Sequence, residues 1–196
     1  MLSKLTSIIK VNAFIGFTIA TLVFHLFFLV DHPFLGMLVA GFVSGTTIAL
    51  ILHRRLSTIL IASAFALASL IGGYFILTSV VVLYLTEGKA SFEDAVFGFY
   101  FLFLFGFALI GAVGATSVYP RLPATALMLG AKSFVIGGLV GTVIIGPFGL
   151  LGKLPLIFVA IGISIANAVG GGILALKLEE LTEDDHHERE LSLKVN

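Results

Sequence analysis

Charged residues and prolines cut the chain into six long apolar runs, roughly 8–30, 34–52, 56–85, 95–119, 127–145 and 156–176. A helix that crosses a bilayer needs about 20 largely apolar residues, and each run reaches or approaches that length. A transmembrane β-barrel would instead show segments of about 10 residues with alternating polarity. Phenylalanines at 97, 99, 101, 103, 105 and 107 do alternate. They sit inside a continuous apolar run, however, and so predict a helix carrying Phe around much of its surface. The first run follows Lys4 and Lys10 as a signal peptide would. It exceeds the roughly 7–15 residues of such a core and no small-x-small site closes it, so it is read as a helix. The pattern predicts an all-α polytopic membrane protein, a compact bundle of six transmembrane helices.

Composition agrees. Of 196 residues, 59% are apolar and 11% charged, with a mean hydropathy of +1.16. A soluble domain is about 25% charged, and a globule of this length buries only about 70% of its unfolded surface, too little to hide this much apolar area. A disordered chain is excluded by its need for low hydrophobicity. The formal net charge of zero conceals an asymmetry, because the seven acids from Glu179 to Glu190 all fall near the C-terminus and only Asp31, Glu87, Glu93 and Asp94 precede them. Residues 1–177 are read as the transmembrane domain and 178–196 as an acidic cytoplasmic tail. Lys and Arg collect on the cytoplasmic side of membrane proteins. With the N-terminus inside, Lys4, Lys10, Arg54, Arg55, Arg121, Lys132 and Lys177 are cytoplasmic, while Lys89 and Lys153 are not. The expected topology is N-in, C-in, with Lys132 near the inner end of helix 5. Cysteine is absent, which removes disulfides and thiolate metal sites.

The loops are short, so whatever the protein does it does in the membrane or with partners. Small residues that allow close helix approach recur at helical spacing on every span, as in Gly41-x-x-x-Gly45 and Gly137-x-x-x-Gly141. They suit packing within one bundle, and equally docking onto a membrane-protein partner or a second copy. Helix 3 would be about 45 Å long at about 1.5 Å per residue, more than a bilayer needs. Either it tilts or it breaks at Gly72-Gly73, and Gly170-Gly171-Gly172 offers helix 6 a similar weak point. Three stretches of the first half line up with the second: 13–21 with 108–116, 41–46 with 137–142, and 66–73 with 164–171. Each half would hold three spans, giving a 3+3 inverted-topology repeat of the kind transporters use. The alternative is chance matching between two halves rich in Gly, Ala, Ile and Val.

Candidate chemistry is sparse. No pair of carboxylates, His cluster or H-E-x-x-H motif lies within the spans. Gly41-Phe-Val-Ser44-Gly45 has the wrong spacing for a nucleophilic serine elbow, and helix 6 carries no His to act as base. The chain is not expected to be an enzyme, and no catalytic residue, metal or cofactor is assigned. His186-His187 in the acidic tail are read as a solvated segment. What remains within the spans is uncharged: Ser44, Ser69 and Asn167 near mid-depth on helices 2, 3 and 6, Ser164 one turn before Asn167, and His25 in the outer third of helix 1. A polar group in lipid must find a partner. These five are either interhelical hydrogen-bond glue or the wall of a solute pocket, expected between helices 2, 3 and 6.

In size and span number the chain is similar to the substrate-binding components of energy-coupling vitamin transporters. That resemblance stops at architecture and implies no site residue. Two functions follow from the residues. One is a small permease, channel or transporter component for an uncharged or zwitterionic solute. The other is a non-catalytic structural or assembly subunit that packs against other membrane proteins. The expected surroundings are the lipid bilayer of a prokaryotic cytoplasmic membrane, with a membrane-protein partner or homo-oligomer formed through the Gly/Ala faces and no nucleic acid.

Overall fold

The structure is a computed structural model that describes residues 2–52, 57–85, 92–120, 122–150 and 156–195, with side chains described over 11–52, 57–82, 97–120, 122–145 and 157–181. The described residues form six helices and no strand: α1 (Leu2–Leu29), α2 (Pro33–Ile51), α3 (Thr58–Leu85), α4 (Phe92–Val118), α5 (Pro123–Leu150) and α6 (Leu156–Val195). Each contains a stretch of 19 to 25 residues long and apolar enough to cross a bilayer. The chain is therefore an all-α bundle of six membrane-competent helices.

Sequential helices pack antiparallel as neighbours, and α1 closes the ring against α6. The α1–α2 turn shows how abruptly the chain reverses. Asp31 takes a left-handed φ of 64°, its N–H reaches the carbonyl of Phe28 at 3.2 Å, and the N–H of His32 reaches that of Phe27 at 2.9 Å. This pair of bonds is a Schellman cap, which satisfies carbonyls left open at a helix end. Pro33, with its φ already set for a helix, then starts α2.

Glycines set the closest approaches. A Cβ on Gly45 would lie 2.6 Å from the Cα of Ala62, and one on Gly41 would lie 2.7 Å from the Cα of Ala66, so α2 rests on the backbone of α3. On the other side of the ring Gly137 faces Gly170, and Gly141 faces Gly162 and Ala166, which brings α5 onto α6. The two Gly-x-x-x-Gly pairs thus occupy corresponding places when α1–α3 are matched with α4–α6. The matched segments on α1 and α4 differ. Gly16 abuts Thr47 on α2, beyond Gly45 along the chain, whereas Gly111 abuts Gly130 on α5, ahead of Gly137.

Three details sharpen the sequence reading. Neither α3 nor α6 breaks. Both remain helical through the glycine pair and the triplet, and Gly72 lies against Ile110 and Gly73 against Met37, where a side chain would collide. Secondly, α5 starts at Pro123 rather than at 127. Lys132 is consequently the tenth residue of the span Pro123–Ile145, about 13.5 Å along it, much deeper than its sequence position suggested. Its side chain is exposed on the outside of the bundle, where the aliphatic stem lets the ammonium reach toward headgroups. Thirdly, the packed part of α6 passes residue 177. Leu178 is buried, Leu181 packs on the core, and the Tyr119 hydroxyl donates to the Leu178 carbonyl at 3.3 Å. The side chains of His186 and His187 lie outside the described residues.

Candidate functional site

The alternating phenylalanines of α4 sort into two stripes. A step of two residues turns a helix by about 200°, so alternate rings face opposite ways. Phe99, Phe103 and Phe107 are buried, while Phe97, Phe101 and Phe105 are exposed. Phe107 belongs to a plug of four rings from four helices. Phe17 of α1 meets Phe65 of α3 edge-on with centroids 6.5 Å apart and Phe134 of α5 at 5.9 Å, and Phe134 stacks on Phe107 at 6.4 Å. All four are almost wholly buried. Glycines make room for them. A side chain at Gly171 would strike the Phe17 ring, and one at Gly114 the Phe65 ring. The plug fills the bundle from mid-depth toward the α2–α3 end.

Toward the α1–α2 end the centre is hollow. A cavity of about 470 Å³ lies between α1, α2, α3, α4 and α6, within the range of about 300–1,000 Å³ typical of small-molecule sites. Phe107 and Ile110 form its floor, and Phe24, Phe28, Met37, Ile76, Val80 and Ile163 supply much of the wall. Among the described residues no charged side chain lines it. Its polar side chains are Thr21, His25, Ser44, Ser69 and Asn167.

Hydrogen bonds show which of these groups are already committed. The Thr21 hydroxyl donates to the Phe17 carbonyl at 2.9 Å, leaving its lone pairs to accept from Asn167 Nδ2, also at 2.9 Å. That fixes the amide with its N–H toward Thr21. The Asn167 carbonyl oxygen then has no hydrogen-bond partner among the described residues. His25 Nε2 lies 3.1 Å from the Ala160 carbonyl and 3.3 Å from Ser164 Oγ. A carbonyl only accepts, so Nε2 carries a proton, and Nδ1 has no hydrogen-bond partner among the described residues. The Ser164 hydroxyl donates to Ala160 at 2.8 Å. Ser44 and Ser69 behave differently from most hydroxyls of the bundle. Thr46, Thr47, Thr78, Ser79 and Ser133 bond back to carbonyls of their own helix. Ser44 and Ser69 have no such bond among the described residues, although both line the cavity.

Of the five residues singled out in the sequence, His25, Ser44, Ser69 and Asn167 meet on one cavity wall, while Ser164 stands behind His25 in the α1–α6 contact. The wall also draws on α1 and α4, beyond the three helices expected. Sequence reasoning missed Thr21, which holds the Asn167 amide in place. Its signal is spacing: Phe17, Thr21 and His25 succeed one another at four-residue intervals and share a face of α1. The aromatic floor was missed as well. A site of this make-up can hold an apolar body and offer hydroxyls and a carbonyl to an uncharged head group.

No protein-family model matches this chain, and no curated protein and no solved structure matches it either.

Proposed function

We propose that this protein is a small permease, channel or transporter component that binds an uncharged, largely apolar solute in the central cavity. The observation that carries this reading is the set of uncommitted hydrogen-bonding groups at Ser44, Ser69 and Asn167 on a largely apolar wall. Buried polar groups are ordinarily satisfied, and unspent capacity beside a hollow suits a ligand better than bundle glue. The uncharged class is preferred over a zwitterion because the lining among the described residues has no charged side chain to pair with either pole. The N-in, C-in arrangement and the 3+3 inverted repeat belong to the same reading. With that topology the cavity faces away from the cytoplasm and the aromatic plug separates it from the cytoplasmic half.

The second reading is a structural or assembly subunit. It draws on the glycine-rich faces, yet Gly41, Gly45, Gly137 and Gly141 are already occupied by neighbouring helices. The test uses single cysteines at Ser44, Ser69, Ser164 and Asn167 in the naturally cysteine-free chain, reconstituted in liposomes. Each is treated with a membrane-impermeant thiol reagent and with a small lipophilic maleimide. Reaction at positions 44, 69 and 167 with either reagent supports a ligand cavity. Silence toward both, with turn positions reacting normally, sinks the transport reading and leaves the structural one.

A further inference from the structure

The contact between α1 and α6 advances through the membrane in regular steps. Phe17 sits on Gly171, Thr21 on Asn167, and His25 on Ala160 and Ser164. One turn further, the antiparallel register brings Leu29 toward Ile157. There the helices no longer cover each other: Leu29 is 80% exposed and Ile157 64% exposed, and both line the cavity together with Phe28. The hollow therefore reaches the bundle surface between the last turn of α1 and the first turn of α6, just beyond the His25 contact.

We infer that this gap is a lateral portal, through which a single-chain amphiphile with an uncharged hydroxyl, carbonyl or amide head passes between the bilayer and the cavity. The inference rests on the cavity being a ligand site. The chemistry of the rim argues for lipid rather than water as the source. Phe24, Phe28, Leu29 and Ile157 are all apolar, and a hydrated solute would have to shed its water against them without compensation. A molecule already dissolved in the acyl region sheds nothing. The first hydrogen-bonding side chain it meets is His25, whose Nε2 latches α1 to α6 while Nδ1 stays uncommitted. One turn deeper lies the Asn167 carbonyl oxygen. The portal thus gives the head group a short path of polar stations and its chain a greasy wall throughout.

The test staples the portal shut in the full chain. Leu29→Cys and Ile157→Cys are introduced together, the protein is reconstituted in liposomes, and a thiol cross-linker cleavable by dithiothreitol bridges the pair. The probe is a monoacylglycerol carrying a diazirine in its acyl chain, and photolabelled residues are mapped by mass spectrometry. Labelling of Ile76, Leu77 and Ile163 is expected before stapling, is lost after it, and returns on reduction. Labelling of those residues that survives a staple verified by mass overturns the portal but leaves the binding site standing. Absence of label there in the unstapled protein, with lipid-facing Leu139 labelled as a control, overturns the portal and the proposed function together.

Discussion

Replacing Asn167 with Leu separates the two roles that an amide in a membrane can have. If the side chain is glue, its loss should loosen the bundle; if it is a ligand group, its loss should empty the cavity. The geometry makes the structural share small. Asn167 donates one bond, to a Thr21 hydroxyl whose own proton is already placed on Phe17, so deleting the amide orphans nothing on α1. Hydrogen bonds between membrane helices average about 0.6 kcal/mol and reach about 1.7 kcal/mol. A bond with no orphaned partner belongs near the lower figure. A double-mutant cycle with Thr21→Val and Asn167→Leu, followed by helix loss in dodecyl sulfate titrations, should give a coupling energy of about 0.6 kcal/mol. Saturable binding of the neutral amphiphile should be lost in Asn167→Leu and only weakened in Thr21→Val, which frees the amide to turn but keeps its carbonyl oxygen. A coupling energy above about 2 kcal/mol, or equal loss of binding in both variants, would falsify this account and make Asn167 a structural clamp.

Three further outcomes are expected. Gly130→Ala places a Cβ 2.6 Å from both the Ala115 Cβ and the Gly111 carbonyl carbon, which forces α4 and α5 apart and costs about 1–3 kcal/mol. Gly172→Ala, with nothing within 4 Å, should be neutral or stabilise by up to about 1 kcal/mol, and equal effects in the same titrations would refute the packing. Phe17→Ala opens the aromatic plug, costs about 3 kcal/mol or more, and lets an impermeant thiol reagent added at the α2–α3 end reach a cysteine at Ser69. A silent Ser69→Cys in that background would show that the plug is not the barrier. Finally, with N-in, C-in topology, His32→Cys reacts with impermeant reagent only from the non-cytoplasmic side and Lys194→Cys only from the cytoplasmic side. A reversed pattern would overturn the reading of the Lys and Arg distribution.

The number of helices was legible because lipid demands long uninterrupted apolar runs, and charges and prolines mark their limits. Helix order around the ring was not. Small residues occur on every span, so Gly41 does not announce that Ala66 is its neighbour, nor Gly111 that Gly130 is. Ser44, Ser69 and Asn167 could be found because they fall near the middle of their spans, whereas Thr21 was one hydroxyl among many. Their arrangement required the fold, since Thr21 and Asn167 are far apart in sequence and meet only where α1 closes on α6. Phe17, Phe65, Phe107 and Phe134 were the least visible. In a chain with 19 phenylalanines, nothing local distinguishes a ring that blocks the centre from one that faces lipid. Helix α5 begins ahead of the apolar run at 127 because Pro123, which reads as a helix breaker, fits the first turn of a helix without losing any bond.

The length of α6 has a mechanical consequence. The helix runs from Leu156 to Val195, about 60 Å at about 1.5 Å per residue, twice the roughly 30 Å of a bilayer core. A helix without a hinge behaves as a pushrod. An axial pull on its acidic end has an unbroken helical path to Asn167, because Gly170, Gly171 and Gly172 are wound into the same rod. A binder that pulled on this projection would strain the contacts of Asn167 with Thr21 and of Ala160 with His25. The two bonds that tie α6 to α1 are thus within mechanical reach of the aqueous phase.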